Sequence, residues 1–207
     1  ELSAEEQRDI HHSIILNNKL NQSRGEPHAE IALSIYRGAV DAMEAAYDGR
    51  EFNTDNIFEA NLFALRCMKP GQTFKGLSAL INPYYWKHDS SMEEYKEINY
   101  EKARAGVNIN RIFVFNDKKE FEEMEFIMEE QARNGIEVFY CFKPDLLGLN
   151  HFPDFTVIKS LEFAITVHRE ERIQTVTISK NRHTIDEVEA QFDKILGKSN
   201  RYEVSDG

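Results

Sequence analysis

Between Asn108 and Phe142 the sequence runs NINRIFVFNDKKEFEEMEFIMEEQARNGIEVFYCF, and few arrangements satisfy that stretch. Arg111 to Phe115 is short and mostly apolar, as expected of a strand covered on both faces. Asp117, with Glu120 three residues on, reads as a capping box that opens a helix. Phe121, Met124, Ile127 and Met128 then recur at helical spacing. Asn134-Gly135 stops the helix, because glycine takes the left-handed conformation cheaply. Ile136 to Phe142 supplies a second strand. A strand–helix–strand unit of this length implies a parallel pair with a right-handed crossover.

The rest of the chain arranges itself around that unit. Ser3 and Glu6 open a polar helix over 1–26, with Ile10, Ile14, Ile15 and Leu20 as a thin apolar stripe. Pro27 suits the first turn of a second helix, whose residues Ile31, Ile35, Ala39, Ala42, Met43 and Ala46 fall on one face, and Asp48-Gly49 closes it. These helices read either as a dimerising, signal-transmitting segment or as a cover for a sheet. A third helix, opened by Asn56 and Glu59, carries Phe63, Ala64 and Cys67. Thr73 to Ile81 reads as a strand broken by Asn82-Pro83, and Tyr84 to Ser90 as an aromatic loop. Ser91 and Glu94 cap the next helix, which Gly106 ends. After Phe142 comes an irregular connection over 143–154. Strands follow at Phe155–Ile158, Phe163–His168 and Ile173–Ser179, the last two forming an antiparallel hairpin across Arg169-Glu-Glu-Arg172. Thr184 and Glu187 cap a final helix bearing Ile185, Val188, Phe192, Ile195 and Leu196, and the tail from Lys198 reads as polar and frayed.

The expected fold is therefore α/β: a mixed sheet of about six strands flanked by helices, with an N-terminal helical extension. The expected division is a helical segment over 1–52, an α/β domain over 53–200 and a tail over 201–207. A hydrophobic fraction of 41% is enough for a core, and fourteen Phe with eight Tyr make it aromatic. The net charge of -11 argues against nucleic acid and against an anionic membrane surface, since both need a basic face. The two cysteines, Cys67 and Cys141, read as buried free thiols and favour a reducing, cytoplasmic setting. No apolar run is long enough to span a bilayer, and no signal peptide is visible. Residue 1 is Glu, so a processed form or an excised fragment of a larger protein is expected.

Four pieces of this sequence together resemble a half-unit of the phospholipase D-like fold. They are the strand Phe74–Ala79 after a helix, then Tyr95, then the run Arg-Ala-Gly-Val-Asn-Ile-Asn-Arg-Ile-Phe-Val-Phe over 104–115, and Asp154-Phe-Thr-Val-Ile158 where the family carries its catalytic strand. The ending Phe192-Asp-Lys-Ile-Leu196 is similar to the family's closing helix. The resemblance spans residues 55–200. Catalytic members carry His-x-Lys-x4-Asp, in which one His is the nucleophile, the Lys binds phosphate and a second His protonates the leaving group. Here His151 is followed by Pro153 and Ile158 at the matching places, His168 by Glu170 and Thr175, and His183 by Ile185 and Ala190. Pairing two half-units would complete no motif. The sequence thus resembles the noncatalytic relatives that serve as sensory or regulatory modules in bacterial signalling proteins.

Other chemistry finds little footing. There is no dinucleotide fingerprint or P-loop, and Gly76-Leu-Ser78 only starts a Gly-x-Ser-x-Gly. No metal-ligand spacing or cofactor motif is seen. The adjacent His11 and His12 point to different sides of a helix, and the six Glu between Glu120 and Glu130 read as a solvated face. Arg111, if buried, needs a partner such as Asp145 or Asp154.

The expected ligand site lies where the 82–89 segment meets the 143–154 connection, both following strands of one sheet. Tyr84, Tyr85 and Trp86 offer stacking surfaces, Lys87 and His88 can meet an anion, and His151 with Asp154 offers an acid/base pair. The reading this supports is a noncatalytic regulatory or sensory domain that binds a small molecule or a protein partner. Two alternatives stand beside it: a phosphodiesterase or nuclease with a rearranged site, and a protein-interaction module that forms homodimers through residues 1–48.

Overall fold

The structure, a computed structural model, describes residues 4–23, 25–54, 57–79, 82–146, 148, 153–170 and 173–204. The chain forms two compact units that meet in sequence between Asp48 and Gly49.

In the first unit α1 (Ala4–Gln22) packs on α2 (Pro27–Tyr47). Pro27 stands in the first turn of α2, where a missing N–H leaves no helix bond unmade. The buried side of α2 is not the face expected from the sequence. Ala29, Leu33 and Ala45 are buried, whereas Ile31, Ile35 and Met43 are 62%, 69% and 72% exposed. Two of the three inward residues are alanines, and small side chains let helices approach closely, which leaves the larger ones outside.

The second unit is built on one mixed sheet of eight strands, two more than expected. In chain order they are β1 (Phe52–Thr54), β2 (Thr73–Ser78), β3 (Asn108–Phe115), β4 (Glu137–Phe142), β5 (Phe155–Ile158), β6 (Phe163–Glu170), β7 (Ile173–Ser179) and β8 (Asn200–Arg201). Their order across the sheet is β1-β7-β6-β5-β2-β3-β4-β8. β2, β3 and β4 run parallel, and the remaining pairings are antiparallel. The helices are α3 (Ile57–Cys67), α4 (Pro83–His88), α5 (Ser90–Arg104), α6 (Lys118–Arg133) and α7 (Arg182–Leu196).

Side chains alternate along β3, so Ile109, Phe113 and Phe115 join one core with α3, α5 and α6, while Ile112 and Val114 join a second core under α7. Arg111 falls in the first set, on the aromatic face. Asp117 caps α6 by accepting the Glu120 N–H at 3.0 Å. The Glu120 carboxylate reaches back to accept the Asn116 N–H at 2.6 Å, one residue beyond the cap whose N–H a standard capping box would take. Gly135, at φ 89°, ends that helix in the left-handed region.

Several expectations need correction. The aromatic segment over 84–90 is not a loop: α4 occupies it, with Pro83 at its start and the Asn82 side chain accepting the Tyr84 N–H at 3.0 Å. The chain after Lys198 is not free through residue 202: Asn200 and Arg201 pair with β4, and the Tyr202 N–H donates to the Val138 carbonyl at 2.9 Å. Asn181, not Thr184, caps α7, accepting the His183 N–H at 2.9 Å. Cys67 is exposed, while Cys141 is buried. Among the described residues no helix is long and apolar enough to cross a membrane.

Candidate ligand-binding site

One face of the second unit's sheet is not fully filled. Four residues stand side by side across β3, β2, β5 and β6: Arg111 pairs with Gly76, Gly76 with Thr156, and Thr156 with Ile165. Gly76 interrupts the row, since it has no side chain to project from the sheet. Above the row lies a cavity of about 350 Å³, roofed by residues of α3, α4 and α5 that include Phe58, Asn61, Trp86, Met92 and Tyr95. A Cβ added at Gly76 would stand 3.0 Å from a ring carbon of Phe74, so even alanine would crowd the floor. A volume near 350 Å³ belongs to the small end of ligand pockets.

Arg111 is the charged group of this floor and is 2% exposed. Its Nη2 donates to the Tyr95 hydroxyl at 2.7 Å and to Asn99 Oδ1 at 3.0 Å. Neither acceptor is charged, and the expected ion pair with Asp145 or Asp154 is not made. Among the described residues no carboxylate pairs with Arg111, and its buried Nε–H has no hydrogen-bond partner. The rings of Tyr95, Trp86 and Phe74 lie 5.0, 5.8 and 6.0 Å from the guanidinium carbon. Such contacts contribute about 0.5–2 kcal/mol each. Holding a guanidinium away from water without a counter-ion costs on the order of several kcal/mol, a cost that the ring contacts and the two hydrogen bonds to neutral acceptors work against.

Two carboxylates line the same cavity, Asp89 and Asp154. The Asp89 side chain accepts the Met92 N–H at 3.3 Å at the start of α5. Asp154 accepts the Ala79 N–H just beyond β2. The hydroxyl of Thr156 donates to Asn61 Oδ1 at 2.8 Å, which fixes α3 against the floor.

Trp86 and Asp154 both line the cavity. Trp86 is 7% exposed, with its ring 5.9 Å from Phe113 and 6.4 Å from Tyr95. Tyr84, Lys87 and His88 are exposed on α4 and are not part of the lining. The Lys87 ammonium lies 4.5 Å from the Phe126 ring centre of α6, and the Tyr84 and His88 rings are 5.0 Å apart. The side chain of Tyr85 and all of His151 lie outside the described residues. Gly76, Thr156 and Tyr95 are floor and roof residues that the sequence reading did not assign to the site. A glycine in a strand interior was the available signal, because it marks a place where side-chain volume is withheld. Among the described residues no group of His, Cys, Asp and Glu is arranged to hold a metal ion.

No family model matches this sequence, and no curated protein matches it. Among solved structures the chain is similar to TrmBL2, an archaeal chromatin protein described as showing a novel mode of DNA binding. The identity is 11% and the TM-score 0.50, over 87% of this chain and 66% of that one. It is also similar to Nuc, a phospholipase D family member from Salmonella typhimurium, at 9% identity and a TM-score of 0.48, over 74% of this chain and 97% of that one. NucT from Helicobacter pylori gives 11% identity and a TM-score of 0.46, over 73% and 97%. At such identities the likeness is one of fold, an α/β unit with a mixed sheet flanked by helices.

Proposed function

We propose that the α/β unit is a noncatalytic, phospholipase D-like regulatory or sensory domain, and that it works by taking a small ligand into the cavity above Gly76. The observation that carries this reading is the gap at Gly76 beside a buried guanidinium. A core shaped only for stability fills such gaps and leaves its charges outside. The lining combines apolar walls with a few convergent polar groups, as small-molecule sites do. The lack of an intact His-x-Lys-x4-Asp in the sequence supports binding over turnover. The net charge of -11 speaks against nucleic acid as the partner.

The test uses the single tryptophan of the chain, Trp86, as the reporter. The full chain is titrated with a panel of small polar molecules while its fluorescence and melting temperature are followed. A saturable response that weakens at least tenfold in Gly76→Ala is the expected result. Absence of any such response across the panel, or a response indifferent to Gly76→Ala, rejects the cavity as the site. Turnover of a generic phosphodiester that is lost in His151→Ala would replace this reading with the enzyme alternative.

A second reading has its own support in the first unit. Ile14, Ile31, Ile35 and Met43 are more than half exposed, and a helical pair with that much apolar surface is suited to a further partner. A second copy of the same pair would make the chain a homodimer through residues 1–48.

A further inference from the structure

The cavity holds a buried cation whose hydrogen bonding is incomplete, and the geometry points to a small organic anion, a molecule bearing a carboxylate or phosphate group, as its occupant. The inference rests on the reading that the cavity takes a ligand and names the chemistry of that ligand. A guanidinium presents five N–H donors in a planar fork that matches carboxylate and phosphate oxygens. At Arg111 the Nη2 is held by Tyr95 and Asn99, two neutral acceptors from α5. They set the plane of the fork without neutralising it. The Nε–H is left over: it is buried and has no partner among the described residues. An oxygen anion seated in the cavity, which Arg111 lines, supplies the missing counter-charge.

The two nearby carboxylates do not do so. Asp89 accepts from the Met92 N–H and Asp154 from the Ala79 N–H, and neither forms an ion pair with Arg111. Trp86 provides an apolar surface for the ligand's carbon body. The absence of a side chain at Gly76, directly beside Arg111 in the register, keeps the approach to the guanidinium open. A longer side chain there would cover the one charge the floor possesses.

The experiment compares anions with neutral analogues of the same shape. Glycerol 3-phosphate and benzoate are titrated into the full chain against glycerol and benzamide, with Trp86 fluorescence and the melting temperature as readouts. At least one anion is expected to bind saturably and raise the melting temperature, and to bind at least tenfold more tightly than its neutral analogue. Arg111→Met is expected to weaken that binding at least tenfold, and Arg111→Lys to weaken it less, since charge remains while the fork is lost. Equal binding of an anion and its neutral analogue, or unchanged anion binding in Arg111→Met, overturns the anion inference and leaves the cavity as a site for neutral molecules. No response to either anion also overturns it. In that case a neutral compound from the wider panel that binds in a Gly76→Ala-sensitive manner shows that the cavity reading survives. If Arg111→Met does not fold, Arg111→Lys and the comparison of anion with neutral analogue on the unaltered chain decide the matter.

Discussion

The hydroxyl of Tyr95 on α5 accepts a 2.7 Å hydrogen bond from Arg111 on β3, sixteen positions further along the chain. The pair joins a helix to the sheet through a charge that is 2% exposed. Tyr95→Phe keeps the ring, and with it the packing on Trp86 and Phe58. It removes only the acceptor. A hydrogen bond to a buried charge contributes about 1.5–3 kcal/mol, and that is the expected loss in urea unfolding. A loss below about 0.5 kcal/mol would show that the guanidinium finds another acceptor and that the Tyr95 hydroxyl does not hold it.

That bond also marks where sequence reading stops. The parallel pair β3–β4 and the helix between them were legible because every signal for them is local: an apolar run, a cap at Asp117, and a stop at Gly135. The acceptors for Arg111 were not legible in the same way. A buried arginine suggests a carboxylate, and nothing in residues 95–99 announces that Tyr95 and Asn99 turn toward it. The edge strands β1 and β8 were missed because three and two residues carry no periodicity. They are defined by backbone pairing, such as Phe139 with Arg201. The helix α4 is not legible because Asn82-Pro83 serves equally as a strand break and as a helix start, and six residues are too few to show a helical period. Of the cavity lining, Trp86 and Asp154 belong to segments that follow strands, which is a local signal. The floor row through Gly76 required the register.

The two thiols are expected to behave differently. Cys67 is exposed and Cys141 buried. Burial pushes the Cys141 thiol up, with a hydrogen bond to Ser199 opposing and the charge of Asp145 adding. In the native state a thiol-specific disulfide reagent should titrate one cysteine quickly, and Cys67→Ser should remove that phase. Cys141 should react about tenfold or more slowly, and quickly once the chain is unfolded. Because its folded value is raised, the unfolded chain gives up this proton first as pH rises. Stability should therefore fall as pH climbs through the unfolded thiol value, about 8.5, toward the folded one, and less so in Cys141→Ala. Two fast native thiols would contradict the burial of Cys141.

On the other face of the sheet, Glu189 of α7 is held below the usual carboxylate range by the hydrogen bond from Lys159, with Lys75 assisting and partial burial opposing. The Lys75 ammonium stands 3.1 Å from Glu189 and 2.8 Å from Asp193, which ties β2 to α7. A carboxylate with a lowered folded value stabilises above its unfolded value and loses that contribution as pH falls through the folded one. Glu189→Gln should therefore cost about 0.5–1 kcal/mol at neutral pH, the range of partly exposed pairs. The difference from the unaltered chain should shrink as pH drops below about 4. Urea midpoints at the two pH values provide the measurement, and a gap that persists in acid would assign the loss to packing and not to charge.

The remaining expectation concerns the helical unit. Ile31, Ile35 and Met43 on α2 are 62%, 69% and 72% exposed, and Ile14 on α1 is 53% exposed. Isolated apolar side chains on a surface are ordinary, but Ile31 and Ile35 are spaced four apart and project side by side from one helix. Burying such side chains contributes on the order of 1.5–3 kcal/mol each when complete, so a few of them suffice for measurable self-association once the entropic cost of pairing is met. The double substitution Ile35→Glu and Met43→Glu places two carboxylates on that surface. It leaves the buried stripe through Ala29, Leu33 and Ala45 untouched. Sedimentation of the full chain should show association that the double variant weakens at least tenfold, with helix content by circular dichroism unchanged. A monomer in both proteins at the highest concentrations tested would remove the dimer reading and leave the exposed face to a partner of another kind.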